Sequence, residues 1–187
     1  MRTNLIVVDE FYTNVDEVRN YALSMPFDVL GNYPGKRTAP AFSDDAKKIL
    51  SNLLRNHGGE IKHFGDKGNT PYSGSFQLCT AQERTWIHAD THNNWAGVLY
   101  LTPDAPLSSG TTFYRHKKSQ TRYCVEGEMH GDNAYDYTKW DVCDSVANVY
   151  NRLILFRSDQ YHASLDYFGI DDNDSRLIQV FFLNTEY

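Results

Sequence analysis

The stretch TWIHADTHNNWAGVLYLT, residues 85–102, places a dense group of polar side chains directly before an apolar run. His88, Asp90 and His92 occupy alternate positions, and residues 95–101 then have the composition of a buried strand. Polar groups next to a core cost free energy unless a partner satisfies them. The stretch therefore raises the question of what its imidazoles and carboxylate bind, and two backbone geometries give different answers.

On a helix, His88 and His92 would have the i, i+4 spacing of the zinc motif H-E-x-x-H. Residue 89 is Ala rather than the Glu of that motif, and Thr, Asp and Asn are poor helix formers, which disfavours this geometry. On a strand, His88 and Asp90 share a face about 6.6 Å apart, whereas His92 lies about 13 Å from His88, too far to share an ion. A strand-borne pair therefore needs a third ligand from elsewhere, and without one it is an ordinary hydrogen-bonded pair.

The C-terminal part of the chain supplies candidate partners. His162 follows a predicted buried strand at 153–156, and Arg176 begins a strongly apolar run at 177–183. An arginine at the inner start of such a strand is costly unless it meets an anion. Together with His88 and Asp90, the chain offers two imidazoles, one carboxylate and one cation suited to a carboxylate.

The order His88-x-Asp90, His162, Arg176 resembles the Fe(II)- and 2-oxoglutarate-dependent oxygenases, in particular their prolyl-4-hydroxylase-like branch. Further segments share the resemblance, which is weakest at 26–72 and 118–148: IVVDEFYTNVDEVRNYAL at 6–23, GVLYLT at 97–102, SGTTFYRH at 109–116, NRLILFRSDQYH at 151–162 and SRLIQVFFL at 175–183. The resemblance implies a mainly β fold, a double-stranded β-helix or jelly roll, with N-terminal helices packed on one sheet.

The resemblance also implies the ligand set. His88, Asp90 and His162 are expected to bind Fe(II) as a facial triad, leaving positions for 2-oxoglutarate and O2. Arg176 is expected to pair with the distal carboxylate of 2-oxoglutarate, and Tyr100 to hydrogen-bond the same group. The family often has a tyrosine on the strand before the His-x-Asp pair; here Gln77 and Cys79 are the candidates for that contact with the cosubstrate.

The implied activity is that of a dioxygenase that hydroxylates an unidentified peptidyl, amino-acid or small-molecule substrate and releases succinate and CO2. The alternatives are a non-catalytic metal-binding jelly-roll interaction module and a cupin-like metalloenzyme that uses no 2-oxo acid. The complete ligand set counts against the first alternative, and Arg176 with Tyr100 counts against the second. We expect His92, Asn93, Asn94, Trp95 and Arg115 to line the substrate entrance.

Composition bounds the remaining properties. With 187 residues, 41% of them hydrophobic, the chain predicts one domain over 1–187. The net charge of −6 disfavours a nucleic-acid partner, and the basic run YRHKK at 114–118 is interpreted as a solvated hairpin tip.

Three widely spaced cysteines, Cys79, Cys124 and Cys143, give no disulfide framework. The N-terminus has neither a signal-peptide core nor a membrane span, so we expect a cytoplasmic protein; its oligomeric state is left open.

Secondary structure can be predicted in outline. Residues 4–11 read as a strand, followed by a helix capped by Asn14; a second helix begins after Ser43, stops at Gly58 and Gly59, and buries Ile49, Leu50, Leu53 and Leu54. Short strands are then predicted at 74–80, 85–90, 95–101, 110–116, 151–156, 161–168 and 176–183. Residues 118–148 fit neither pattern, and a short helix is predicted near 136–148.

Overall fold

The computed structural model describes residues 3–66, 68–124 and 133–186. They form a mainly β structure with two α-helices, α1 (Val15–Ser24) and α2 (Asp44–Arg55). The strands, in chain order, are β1 (Leu5–Val8), β2 (Lys36–Arg37), β3 (Glu60–Phe64), β4 (Phe76–Cys79), β5 (Trp95–Tyr100), β6 (Thr111–His116), β7 (Trp140–Val146), β8 (Leu153–Arg157), β9 (His162–Ser164) and β10 (Arg176–Glu186).

The start of α2 follows the prediction from sequence. The Ser43 hydroxyl accepts a hydrogen bond from the Ala46 N–H, and two aspartates occupy the first turn, where the helix dipole favours negative charge. Leu50 and Leu54 are fully buried. At α1, Asn14 holds the N-cap position without capping the helix, because its side-chain amide donates to the Glu17 carboxylate instead of accepting from the backbone.

The strands form two antiparallel sheets. The larger sheet has the order β1-β8-β5-β10-β4-β2, and β3 pairs with the C-terminal half of β10. The smaller sheet has the order β7-β6-β9. Because β10 is eleven residues long, it can pair with β5 along one edge and with both β4 and β3 along the other.

Alternation along β10 divides the interior. Leu177, Phe181 and Leu183 share one hydrophobic cluster with buried residues of both helices. Ile178 and Val180 point to the other face and share a second cluster with Phe113 and Val146 of the smaller sheet. Since side chains on a strand alternate, Arg176 has the same facing as Ile178 and Val180. This second face is the one that carries the candidate site.

Two segments differ from their predicted secondary structure. Residues 85–90 form no regular strand: only His88 pairs, as an isolated bridge with His162, while the N–H groups of Ile87 and Asp90 donate to separate loops. The helix predicted near 136–148 is instead a 3-10 turn, Tyr137–Lys139, followed by β7, because that segment pairs with β6 along its whole length. Residues 125–132 of the unassigned segment lie outside the described residues.

Other expectations concern the surface and the thiols. Residues 114–116 of the basic run belong to β6, and the chain turns directly after them. Cys79, Cys124 and Cys143 form no disulfide bond with one another. Across the parts of the chain that the structure describes, no helix has both the length and the apolarity needed to cross a membrane.

Candidate metal centre and adjoining cavity

His88, Asp90 and His162 come together in the fold. One potential ligand atom from each lies within 4.8 Å of the others. Two backbone hydrogen bonds hold the histidines in place: the His88 N–H donates to the His162 carbonyl at 3.0 Å, and the His162 N–H donates to the His88 carbonyl at 2.8 Å. The Asp90 N–H donates to the Ser158 carbonyl at 2.8 Å. Residues far apart in sequence are therefore fixed by main-chain contacts rather than by side-chain packing alone.

Hydrogen bonds to carbonyl groups set the orientation of both imidazoles. Nδ1 of His88 lies 3.0 Å from the Trp86 carbonyl, and Nδ1 of His162 lies 2.9 Å from the Gln160 carbonyl. A carbonyl only accepts, so each Nδ1 carries a proton, and in the neutral form of the ring Nε2 keeps a free lone pair. The Nε2 atoms face the Asp90 carboxylate, at 3.9 Å from His88 and 3.5 Å from His162. A hydrogen bond from Nδ1 to a carbonyl group, with Nε2 left for the ion, is typical of metal-binding histidines.

Burial prepares His162 to act as a ligand. Desolvation, together with the neighbouring His88, lowers the pKa of His162 to about 4. The imidazole is therefore neutral near pH 7, which metal coordination requires. Two imidazole nitrogens and one carboxylate oxygen are the donor set of the 2-His-1-carboxylate facial triad, the ligand arrangement of non-haem Fe(II) oxygenases. The residues present thus fit a six-coordinate metal with open positions.

A cavity of about 750 Å³ adjoins these three residues. Its walls include Ala96, Val98 and Ile178 from the larger sheet and Thr111 and Ser164 from the smaller one. This volume is within the range of pockets that bind small molecules. Among the described residues that line the cavity, Asp90 is the only carboxylate.

Arg176 lies at the start of β10 and is completely buried. Its Nε donates to the Ser109 carbonyl at 3.0 Å, while both terminal nitrogens have no hydrogen-bond partner among the residues described. The guanidinium carbon is 5.6 Å from the Tyr100 ring centre and 5.7 Å from that of Tyr167. A buried cation with unsatisfied donors is costly, so this group is suited to an anion.

The acidic turn before β10 does not supply that anion. Asp172 forms an ion pair with Lys36 at 2.7 Å. Asp174 accepts the backbone N–H groups of residues 170 and 171, and Asp171 accepts those of residues 173 and 174. These carboxylates are engaged on the surface, and Arg176 points inward, away from them.

Tyr100, which the resemblance places with Arg176, lies beside it in the structure. Its hydroxyl lies 2.8 Å from Oγ1 of Thr111, a residue that lines the cavity. Burial raises the pKa of Tyr100, and the Arg176 charge only partly opposes this effect. The phenol therefore stays protonated at neutral pH and can donate a hydrogen bond.

Gln77 and Cys79 lie on β4, opposite the start of β10. Gln77 lines the cavity, and its amide nitrogen donates to the Pro34 carbonyl at 2.9 Å. Cys79 is fully buried and lies opposite Arg176 in the ladder; burial raises the pKa of its thiol. Gln77 is thus the one of the pair that faces the cavity with a polar group.

The predicted entrance residues separate into two groups. His92 and Asn93 line the cavity, and His92 stands outside the three-residue ligand group. Two other predictions are wrong. Trp95 is fully buried in the cluster that contains the helices, because alternation on β5 turns Ala96 rather than Trp95 to the cavity. Arg115 donates to the Asp141 carboxylate on the neighbouring strand β7.

Asn94 likewise has a structural role, since its side-chain oxygen accepts the Thr185 N–H at 2.7 Å and so joins β5 to the end of β10. Arg37 and Tyr167 are among the cavity residues that sequence reasoning missed. Arg37 lies on a two-residue strand, too short to be recognised from periodicity. Tyr167 follows β9 in a loop, and burial raises its pKa to about 12. In the sequence, Tyr167 is only one more aromatic residue of the predicted strand 161–168, and nothing there marks it as a cavity residue.

Comparison with solved structures defines the class of fold. HygX from Streptomyces hygroscopicus with nickel and 2-oxoglutarate bound is similar at a TM-score of 0.59 and 11% identity, over 99% of this chain and 84% of that one. A prolyl hydroxylase from Trichoplax adhaerens, in complex with a hypoxia inducible factor peptide fragment, has a TM-score of 0.55 and 14% identity, over 97% and 84%. The epimerase SnoN from nogalamycin biosynthesis, described as non-heme and alpha ketoglutarate dependent, has a TM-score of 0.60 and 14% identity, over 96% and 77%. The fold is that of the 2-oxoglutarate-dependent oxygenases, as the sequence resemblance indicated.

The chain belongs to a family of unknown function, DUF6445, whose model matches residues 1–167. No curated protein matches the chain. The fold and the candidate metal centre, rather than a characterised relative, therefore carry the functional argument.

Proposed function

We propose that the protein is an Fe(II)- and 2-oxoglutarate-dependent dioxygenase that hydroxylates a peptidyl, amino-acid or small-molecule substrate. The proposal includes a single domain over 1–187, built as a double-stranded β-helix with the N-terminal helices packed on the larger sheet, and a cytoplasmic location. One observation carries it: the three metal-binding side chains adjoin the cavity, and Arg176, whose terminal nitrogens have no hydrogen-bond partner among the described residues, has the same facing on β10 as the cavity-lining Ile178.

His88, Asp90 and His162 would hold the metal. Their backbone contacts fix the three donors before any ion binds, so little ordering cost is left for coordination. When bound, Fe(II) and 2-oxoglutarate activate O2 for attack on an unreactive C–H bond, and succinate and CO2 are released. The protein orients the reactants and excludes water, and the apolar residues of the larger sheet along the cavity serve the second task. Because Asp90 supplies a carboxylate ligand, no coordination position is freed for a halide, which argues against a halogenase.

Arg176 would bind the distal carboxylate of 2-oxoglutarate. Its two free terminal nitrogens form a planar fork that matches a carboxylate in a bidentate manner. Tyr100 and Thr111 would add hydroxyl donors beside the fork. Gln77, on the cavity face of β4, is the proposed polar contact for the cosubstrate's other end, with Cys79 as its buried neighbour.

The solved relatives give a range for the substrate. HygX has been solved with hygromycin B, and the Trichoplax enzyme with a peptide. SnoN, an epimerase, shows that this fold also supports an outcome other than hydroxylation. We favour hydroxylation because the metal site retains its full ligand set; the cavity size suits a small molecule or a single peptide side chain.

Anaerobic calorimetry tests the proposal. The wild-type protein is expected to bind one Fe(II) and then one 2-oxoglutarate, and subsequent addition of O2 should yield succinate, measured by mass spectrometry. Metal binding without 2-oxoglutarate binding would support a cupin-like metalloenzyme instead. Binding of both ligands with no succinate, either alone or with pooled peptides and metabolites, would support a non-catalytic module.

A further inference from the structure

Arg37 is a second buried cation of the cavity. It lies on the edge strand β2, is 6% exposed and lines the cavity wall. Its guanidinium carbon is 3.7 Å from the Tyr33 ring centre and 5.3 Å from that of Tyr72. Stacking against aromatic faces holds the planar group without using its hydrogen-bond donors.

Most of the N–H donors of Arg37 make no hydrogen bond within the described part of the chain. One terminal nitrogen donates to the Gln77 side-chain oxygen, while Nε is buried with no hydrogen-bond partner among the described residues. No carboxylate of the described chain lies within ion-pair distance of Arg37, although the Asp90 charge acts on it. An arginine this buried with an idle donor is expensive unless a ligand completes its contacts.

In the proposed complex, the positive charge of Arg37 is not balanced by a negative charge. This step rests on the proposed function. In that complex the charges of Fe(II), Asp90, the two carboxylates of 2-oxoglutarate and Arg176 cancel. Since Asp90 is the only carboxylate among the described lining residues, Arg37 contributes one net positive charge to the cavity. A further anion would neutralise it.

Arg37, on the cavity wall, occupies a different position from Arg176. Arg176 is fully buried behind Tyr100, itself fully buried, whereas Arg37 belongs to a wall shared with the partly exposed loops at 32–34 and 68–72. Those loops connect the cavity to solvent. The cosubstrate's distal carboxylate has Arg176 and its other carboxylate has the metal, so the anion at Arg37 comes from a different molecule.

We propose that Arg37, held against the rings of Tyr33 and Tyr72, is a specificity-determining residue that binds a carboxylate of the primary substrate. A carboxylate matches the planar fork of guanidinium donors and carries the single negative charge that the cavity lacks. A phosphate monoester would bring a charge of about −1.5 to −2 at pH 7 and is disfavoured. The substrate class is therefore a carboxylic acid, such as a free or N-acylated amino acid.

The test compares two probe pools on protein loaded with Zn(II) and 2-oxoglutarate: N-acetyl amino acids with free carboxylates, and the same compounds as primary amides. Binding is followed by NMR of the arginine Nε–H signals, with the Arg37 signal assigned by its absence in R37Q. The wild type should prefer the carboxylate pool at least about tenfold, because a hydrogen bond to a charged group exceeds the 1.4 kcal/mol of a tenfold change. The Arg37 signal should shift with that pool alone.

Variants sharpen the result. R37Q should lose the carboxylate preference and keep wild-type affinity for 2-oxoglutarate, while R115Q, a control on a surface ion pair, should keep both. Equal binding of the two pools by the wild type would overturn the proposal without requiring any variant. Loss of 2-oxoglutarate binding in R37Q would also overturn it, by making Arg37 a cosubstrate ligand.

The test also separates this proposal from the proposed function. If the wild type binds 2-oxoglutarate normally and shows no carboxylate preference, only the role of Arg37 fails. If Zn(II)-loaded protein shows an Arg37-dependent carboxylate preference and binds no 2-oxoglutarate, the dioxygenase proposal fails and the carboxylate site stands.

Discussion

Replacement of Arg176 by lysine isolates the contribution of the guanidinium fork. Lysine keeps the positive charge and loses the planar pair of donors. Within the described part of the chain, both terminal nitrogens of Arg176 have no hydrogen-bond partner and the side chain is fully buried, so a bound carboxylate would meet them in a dry environment. We therefore expect Arg176→Lys to weaken 2-oxoglutarate binding and to leave Fe(II) binding unchanged.

The magnitude follows from the lost contact. A hydrogen bond to a charged group contributes about 1.5–3 kcal/mol, so loss of one of the two corresponds to a dissociation constant about 10–150 times larger. Arg176→Ala removes both contacts and leaves the ligand carboxylate unpaired, a change of about 2–5 kcal/mol. The graded order of wild type, lysine and alanine variants is itself part of the prediction.

Anaerobic calorimetry of 2-oxoglutarate into Fe(II)-loaded protein measures these constants, with thermal unfolding to confirm that each variant is folded. Arg115→Lys is the matched control, because Arg115 forms a surface ion pair with Asp141 and lies outside the described cavity lining. Wild-type affinity for 2-oxoglutarate in Arg176→Lys and Arg176→Ala would refute the assignment of this arginine to the cosubstrate.

Five further substitutions test other parts of the structure. His162→Ala should abolish tight Fe(II) binding in an anaerobic titration, whereas His92→Ala should retain it; the reverse result would mean that the ligand set is wrong. Arg176→Met should raise the melting temperature of the ligand-free protein, since replacing an uncompensated buried charge by an apolar side chain can stabilise by about 1–4 kcal/mol; a lower melting temperature would show that the guanidinium is satisfied without ligand. Leu54→Ala, at a fully buried position of α2, should lower the free energy of unfolding in urea by about 2–5 kcal/mol, and a change below this range would mean that the helix is less tightly packed. Gly110→Ala should destabilise by about 1–3 kcal/mol or more, because its Cβ would lie 1.8 Å from the Val146 carbonyl oxygen, and unchanged stability would contradict that close approach.

Local sequence was sufficient to predict the features that lie within a single helix or strand. The Ser43 cap and the apolar stripe of α2 are contained within one helix, and the alternation of β10 is contained within one strand. The relation between Arg176 and Tyr100 also follows from strand alternation once the two strands are placed next to each other. The predicted helix near 136–148 failed because the pairing of β7 with β6 overrides the weak intrinsic preference of that segment.

The sequence by itself determined the identities and order of the ligand candidates, the apolar strands and the acidic surface. Only the tertiary structure decided which polar residues face the same space. His88 and His162 are joined by two main-chain hydrogen bonds across 74 positions, and Arg37 reaches the cavity through a two-residue strand. Trp95 and Arg115 were turned away from the cavity by strand facing and by an ion pair with another strand. Such placements depend on contacts between distant segments, and the energy of those contacts is not encoded in any local pattern.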